Sequence, residues 1–174
     1  NAIEIIKTLA PDHICITGDQ VNLALDSEFK NAVQWLEKFG NPNDVSLVYG
    51  NHDNYVKGDR DLVRTYWAPW MSGDGASPEG WPYMRQRGDL AIIGVSSGVP
   101  TGLGMATGHV DKPQLEKLDE YLVRAKGQNL FRVVMIHHPP QLGATTPRKS
   151  LTNAIEVQRV LTKAGCEVVL HGHI

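Results

Sequence analysis

Short apolar runs alternate with amphipathic stretches along the whole chain. Asn1–Ala10 carries Ile3, Ile6 and Leu9 at helical spacing and stops at Pro11. The run HICIT (residues 13–17) then predicts a buried strand. Glu28–Phe39 places Phe29, Val33, Leu36 and Phe39 on one helical face and ends at Gly40. VSLVY (45–49) is the next predicted strand, followed by a short helix over Asp59–Tyr66. YMRQR (83–87) and LAIIGV (90–95) pair as a hairpin about Gly88-Asp89. Asp111 caps a helix with Pro113 in its first turn and Leu115, Leu118 and Leu122 on its inner face. FRVVMI (131–136) is a strand, Thr152–Ala164 a helix closed by Gly165, and EVVL (167–170) the last strand.

Strands separated by helices of this length predict βαβ units, hence an α/β fold with a largely parallel sheet covered on both faces. The hairpin breaks that rhythm, so a mixed sheet or a second sheet is expected. A chain of 174 residues fits a single domain spanning 1–174. The loop Trp67–Pro82 holds three of the four tryptophans. They either pack that loop onto the body or wall a substrate pocket.

The apolar runs end in a recurring way. HICIT leads into Gly18-Asp19-Gln20-Val21-Asn22, and VSLVY into Gly50-Asn51-His52-Asp53. FRVVMI leads into His137-His138-Pro139-Pro140, and EVVL into His171-Gly172-His173. Any one of these is an ordinary turn or cap. Four together place Asp19, Asn51, a histidine of the 137–138 pair and His173 at carboxyl ends of strands, the edge where open α/β sheets bind ligands. One carboxylate, one amide oxygen and two imidazoles form a mixed oxygen and nitrogen set suited to Mn, Fe, Co, Ni or Zn. Without clustered thiolates, a structural zinc site built from four cysteines is excluded. His137 directly ends its strand and is the preferred ligand, with His138 the second choice. His13 and His109 are expected to be structural, and His171 either structural or a supporting neighbour of the ligands.

Composition narrows the partners. With 41% hydrophobic and 21% charged residues the chain is that of a globular protein, and its net charge of −2 supplies no basic footprint. Nucleic acid is therefore expected only as a possible substrate. Cys15 and Cys166 lack CxxC spacing and lie in apolar runs, where they read as small buried hydrophobes of a reducing, cytoplasmic setting. No apolar stretch has the length of a membrane span.

The elements GDQVN, GNHD, IHHPP and HGHI together resemble those of the calcineurin-like metallophosphoesterases, over essentially the whole chain. HHPP and HGHI are most similar to the branch that contains cyclic-nucleotide and glycerophosphodiester phosphodiesterases. The resemblance implies a layered αββα sandwich and a centre of two divalent metal ions. Asp19 would be the bridging carboxylate, with Asn51, His137 and His173 completing the second metal site. His52 would be a catalytic non-ligand histidine at the scissile phosphate, Asp53 its orienting catalytic partner, and Asn51 and His52 the substrate-facing pair. The implied activity is hydrolysis of a phosphoester, foremost a phosphodiester, by a metal-bridging hydroxide. The alternative is an inactive scaffold or interaction module with a vestigial site. The family's Asp-x-His element would precede residue 1, and its final histidine would follow Ile174. The chain is thus expected to lack the first strand and the C-terminal part of the sandwich, and by itself to be weakly active or inactive.

Overall fold

The computed structural model describes residues 2–54, 59–74, 80–102 and 104–174. Among these residues five helices, α1 (Ala2–Leu9), α2 (Asp26–Leu36), α3 (Asp59–Trp67), α4 (Lys112–Gly127) and α5 (Ala154–Ala164), join six strands. The strands are β1 (Ile14–Ile16), β2 (Val45–Leu47), β3 (Tyr83–Arg87), β4 (Leu90–Val95), β5 (Phe131–Ile136) and β6 (Val168–Leu170). They form two sheets. β1 and β2 pair in parallel, and β3-β4-β5-β6 form a mixed sheet in which only the β3–β4 hairpin is antiparallel. The hairpin does therefore belong to a second sheet. The four strands that lead into Asp19, Asn51, His137 and His173 are divided between the sheets, two in each, so their ends meet across a sandwich and not along one sheet edge.

Two apolar clusters define the layers. In the first, Phe29 and Leu36 of α2 and Trp67 of α3 pack with Val45 and Leu47 of β2, then with Tyr83, Ile92 and Met135 of the facing sheet. In the second, Leu118 and Leu122 of α4 and Val157 and Leu161 of α5 cover Ile93, Val95, Val134 and Ile136 on the far side of that sheet. The order is helices, sheet, sheet, helices: the αββα sandwich. Phe29, Leu36 and Leu47 are wholly buried, each worth about 1.5–3 kcal/mol of transfer free energy. β1 and β6 are only half-buried, contrary to the expectation of a buried strand for HICIT, whereas β2, the neighbour of β1, is wholly buried.

Polar fasteners complete the frame. Arg85 on β3 is 2% exposed, and its guanidinium donates to the carbonyls of Pro42, Val45, Pro69 and Ser72 at 2.7–2.8 Å. It thereby sews two loops to the sandwich. Arg132 on β5 donates to Glu167 and to the Ala164 carbonyl, fixing the start of β6 against the end of α5. Asp111 accepts from the Gln114 N–H as the N-cap of α4, as its position in the sequence predicts. Cys15 and Cys166 are free and half-buried, and burial pushes the Cys15 thiol up to about 11. Among the described residues no helix is long and apolar enough to cross a membrane.

Candidate metal centre

Asp19 lies three residues beyond β1, Asn51 four beyond β2, His137 immediately after β5 and His173 three beyond β6. The structure brings all four side chains to one point. From Nε2 of His137, Nδ1 of His173 is 3.1 Å away, Oδ1 of Asn51 3.2 Å and Oδ2 of Asp19 3.3 Å. The other ring nitrogen, Nδ1 of His137, donates to the Thr17 carbonyl at 2.6 Å. A carbonyl only accepts, so the proton is on Nδ1 and Nε2 turns its lone pair toward the three other donors. His137 and Asn51 are 2% and 6% exposed, whereas the Asp19 side chain is 32% exposed and forms the open side.

The electrostatics follow from this crowding. Burial raises the Asp19 carboxyl pKa, but hydrogen bonding and charge from His137 outweigh it and hold the group below the usual carboxylate range. Burial lowers the His137 pKa, and the Asp19 carboxylate overrides it in the opposite direction. The cluster draws positive charge to its centre. Two histidines, an amide oxygen and a carboxylate converging on one point form a donor set that a divalent cation fits.

Local backbone makes the convergence possible. Asp19 and His173 both have φ of 57°, the left-handed region that residues with a Cβ rarely occupy. Gly50 serves by its size: a Cβ there would collide with Asp19 Oδ1 and approach His137 Cε1 to 2.6 Å. A Cβ on Gly18 would lie 2.6 Å from both the Gly50 nitrogen and His137 Nδ1.

Asp53 departs from its expected role as the partner of His52. It is wholly buried, and its Oδ2 accepts from the Asp19 and Gly50 N–H groups at 2.8 Å. Its Oδ1 accepts from Gln20 at 2.8 Å and Val21 at 3.0 Å. The carboxylate therefore clasps the Gly18–Val21 loop to the Gly50–Asp53 loop, which fixes the Asp19 and Asn51 segments relative to each other. Burial pushes its pKa up to about 6 against the pull of these donors. His52 is oriented by another group: its Nδ1 donates to the Asn22 carbonyl at 2.9 Å, and its backbone N–H reaches Asp19 Oδ1 at 3.1 Å. The Asn22–Leu25 segment is held in turn by Glu28, which accepts from the N–H groups of Asn22, Leu23 and Leu25.

His138 lies in the same cluster. Its ring nitrogens and those of His137 and His173 include one from each residue within 4.8 Å of the others. Both of its nitrogens are nevertheless committed. Nε2 faces the Ala106 carbonyl at 3.2 Å and must carry the proton, while Nδ1 accepts from the Ser97 hydroxyl at 2.8 Å. No lone pair remains for a metal. The other histidines bond outside this cluster: His13 to Ser46, His109 to Thr152 and His171 to the Gly172 carbonyl.

Asp19 and His52 open onto a groove of about 1020 Å³ lined further by Gln20, Asn22, Trp35 and Lys38. Trp35 is the tryptophan outside the Trp67–Pro82 loop. Within that loop Trp67 and Trp70 are buried in the core, and Trp81 packs against Tyr49 and Tyr83. Its tryptophans anchor the loop; residues 75–79 lie outside the described residues. Thr17, Asn22, Ser97 and Ala106 were not singled out from the sequence. Three of them act through backbone carbonyls, which leave no trace in residue type.

A two-sheet sandwich in which a carboxylate, an amide and two imidazoles converge from four strand ends defines an α/β protein with a candidate metal centre. A family model described as calcineurin-like phosphoesterase matches residues 1–174, and the chain belongs to that family. Among solved structures it is similar to a dimetal phosphatase from Danio rerio, with a TM-score of 0.78 and 16% identity over 99% of this chain and 69% of that one. A comparison with curated proteins finds no match.

Proposed function

We propose that this chain carries the site of a metal-dependent phosphoester hydrolase that acts on phosphodiesters. Asp19, Asn51, His137 and His173 would hold a divalent cation, and the partly exposed Asp19 carboxylate would serve a second. The observation that carries this reading is the approach of three donor atoms to within 3.3 Å of His137 Nε2. Manganese, iron, zinc, cobalt and nickel all suit the donor set. When bound, such ions supply Lewis-acid stabilisation of the phosphoryl oxygens and a water of lowered pKa.

The chain's own residues do the rest. Thr17 holds the His137 tautomer, and Asp53 keeps the Asp19 and Asn51 loops in register. His52, steered by the Asn22 carbonyl, hydrogen-bonds a phosphoryl oxygen or protonates the leaving alkoxide from Nε2. Leaving groups extend into the groove beside Asp19 and His52.

The test is hydrolysis of matched aryl phosphodiesters and phosphomonoesters before and after chelation. The expected outcome is loss of diester turnover with chelator and recovery with Mn or Co above that with Mg. Turnover indifferent to chelation rules out the metal mechanism. Absence of both turnover and metal binding identifies the chain as a scaffold.

A further inference from the structure

Asn51 and His137 come from different sheets, and the packing between those sheets is apolar. Apolar contact has no direction of its own. A metal site, by contrast, tolerates ligand displacements of only about 0.2 Å. The Thr17 carbonyl ties His137 to the Asp19 segment, but the turn that carries Asn51 needs a directional tie to β5 as well.

Three consecutive residues leaving β4 supply it. Ser96 is clamped to α4 by Gln114, whose amide accepts from the Ser96 N–H at 3.0 Å and donates to its carbonyl at 3.2 Å. Ser97 Oγ donates to His138 Nδ1 at 2.8 Å and accepts from the His138 backbone N–H at 3.1 Å. The Gly98 carbonyl accepts from Asn54 Nδ2 at 3.0 Å. Asn54, Ser97 and His138 are wholly buried, and Ser96 and Gln114 nearly so. Both outer partners stand beside a metal-site residue. His138 follows His137 directly, and Asn54 closes the turn that begins at Asn51, donating its own N–H to the Asn51 carbonyl at 3.3 Å. Gly98 also brings the backbones together, since a Cβ there would lie 2.6 Å from the Gly50 carbonyl oxygen.

We propose that Asn54 and Ser97 are positioning residues of the metal centre. The Ser97–Gly98 backbone joins them into a buried bridge that sets the 3.2 Å separation between Asn51 Oδ1 and His137 Nε2. The inference rests on the reading of Asn51 and His137 as ligands. Neither Asn54 nor Ser97 approaches the metal; each acts through a neighbour that it holds. Burial makes the bridge strict, because a broken tie leaves a polar group unpaired and out of reach of water. The clamp from Gln114 fixes the middle of the bridge to α4, so the two halves of the centre share one reference frame.

Manganese titration of the 174-residue chain, Asn54→Ala, Ser97→Ala and the double variant tests this without requiring turnover, with the unfolding stability of each measured alongside. Each single variant should bind Mn about 10-fold more weakly. The double variant should be little weaker than either, because one broken tie already opens the bridge. Arg85→Met serves as the control, since Arg85 fastens the start of β2, at the other end of that strand from Asn51. It should lose stability while its Mn affinity stays that of the parent chain, which separates positioning from general loosening. Parental Mn affinity in either single variant overturns the proposal, as does additive loss in the double variant or an equal loss in Arg85→Met. Should the alanine variants fail to fold, proton exchange of the Asn54 side-chain amide, followed by NMR in the unaltered chain, decides. That exchange should be slow and should slow further on loading with Zn; the rate of a free amide, or no response to loading, overturns the proposal. A parent chain that binds no Mn removes the metal reading itself, and the proposal with it.

Discussion

Asp53 and His52 are neighbours with separate duties, and substitutions can divide them. Asp53 accepts four backbone N–H groups from two loops, a task an amide cannot repeat because half of its head group is a donor. Asp53→Asn should leave about two buried N–H groups facing an NH2, costing roughly 2–5 kcal/mol. Denaturant unfolding should show that loss, and Mn binding should weaken with it as the Asp19 and Asn51 loops part. His52→Ala should behave oppositely, with unchanged unfolding and Mn binding but turnover lower by roughly two to four orders of magnitude. A His52→Ala variant that lost metal as readily as Asp19→Ala would refute this division. The residue types of the site could be read directly from GDQVN, GNHD, IHHPP and HGHI. The role of Asp53 could not, because adjacency to His52 in sequence suggests a side-chain pair, while its actual partners are backbone groups 32 to 34 positions away together with Gly50.

At the level of elements, hydrophobic spacing locates every helix and strand described above, and the remaining differences have physical causes. α2 begins at Asp26, two residues before the predicted Glu28, because Glu28 reaches back to the Leu25 N–H and closes the first turn. Thr152 and Asn153 precede α5 because both side chains bond to backbone groups of the 108–110 segment. The buried fastener Arg85 had no signal in its strand pattern, where a charged residue reads as outward-facing. Arg85→Met should strip four carbonyls of a charged donor and destabilise the fold by about 3 kcal/mol or more, measurable by thermal or denaturant unfolding.

The Arg132–Glu167 clasp at the start of β6 sets a pH dependence. The hydrogen bonds and charge of Arg132 hold the Glu167 carboxyl at about 2, below its ordinary 4.5. The unfolded chain therefore binds this proton first on acidification, so the stabilisation is complete above about pH 4.5 and is lost as pH falls toward 2. Solvent screening limits it to about 1 kcal/mol, since Glu167 is partly exposed. Comparing unfolding of the parent chain and Glu167→Gln at pH 6 and pH 2.5 should show a gap that closes at the lower pH; a constant gap would contradict the assignment.

Across the whole molecule, the two sheets matter because neither alone assembles the site. The β1–β2 pair supplies Asp19 and Asn51, and the larger sheet supplies His137 and His173. The sequence rhythm suggested one dominant parallel sheet with a complication at the hairpin. It could not show that the strand ends face each other across a sandwich, since that depends on packing of Val45 and Leu47 against Ile92 and Met135. The site should accordingly behave as a sensor of sheet-to-sheet packing. Substitutions that loosen this core, such as Met135→Ala, should weaken metal binding although they touch no ligand.

The most direct test of the central claim is a calorimetric titration of the 174-residue chain with Mn beside its His137→Ala variant. The four converging ligands predict one Mn bound per chain, and abolition of that binding when His137, the common neighbour of the other three, is removed. Binding that persists unchanged in His137→Ala, or no binding by the parent chain, would contradict the account.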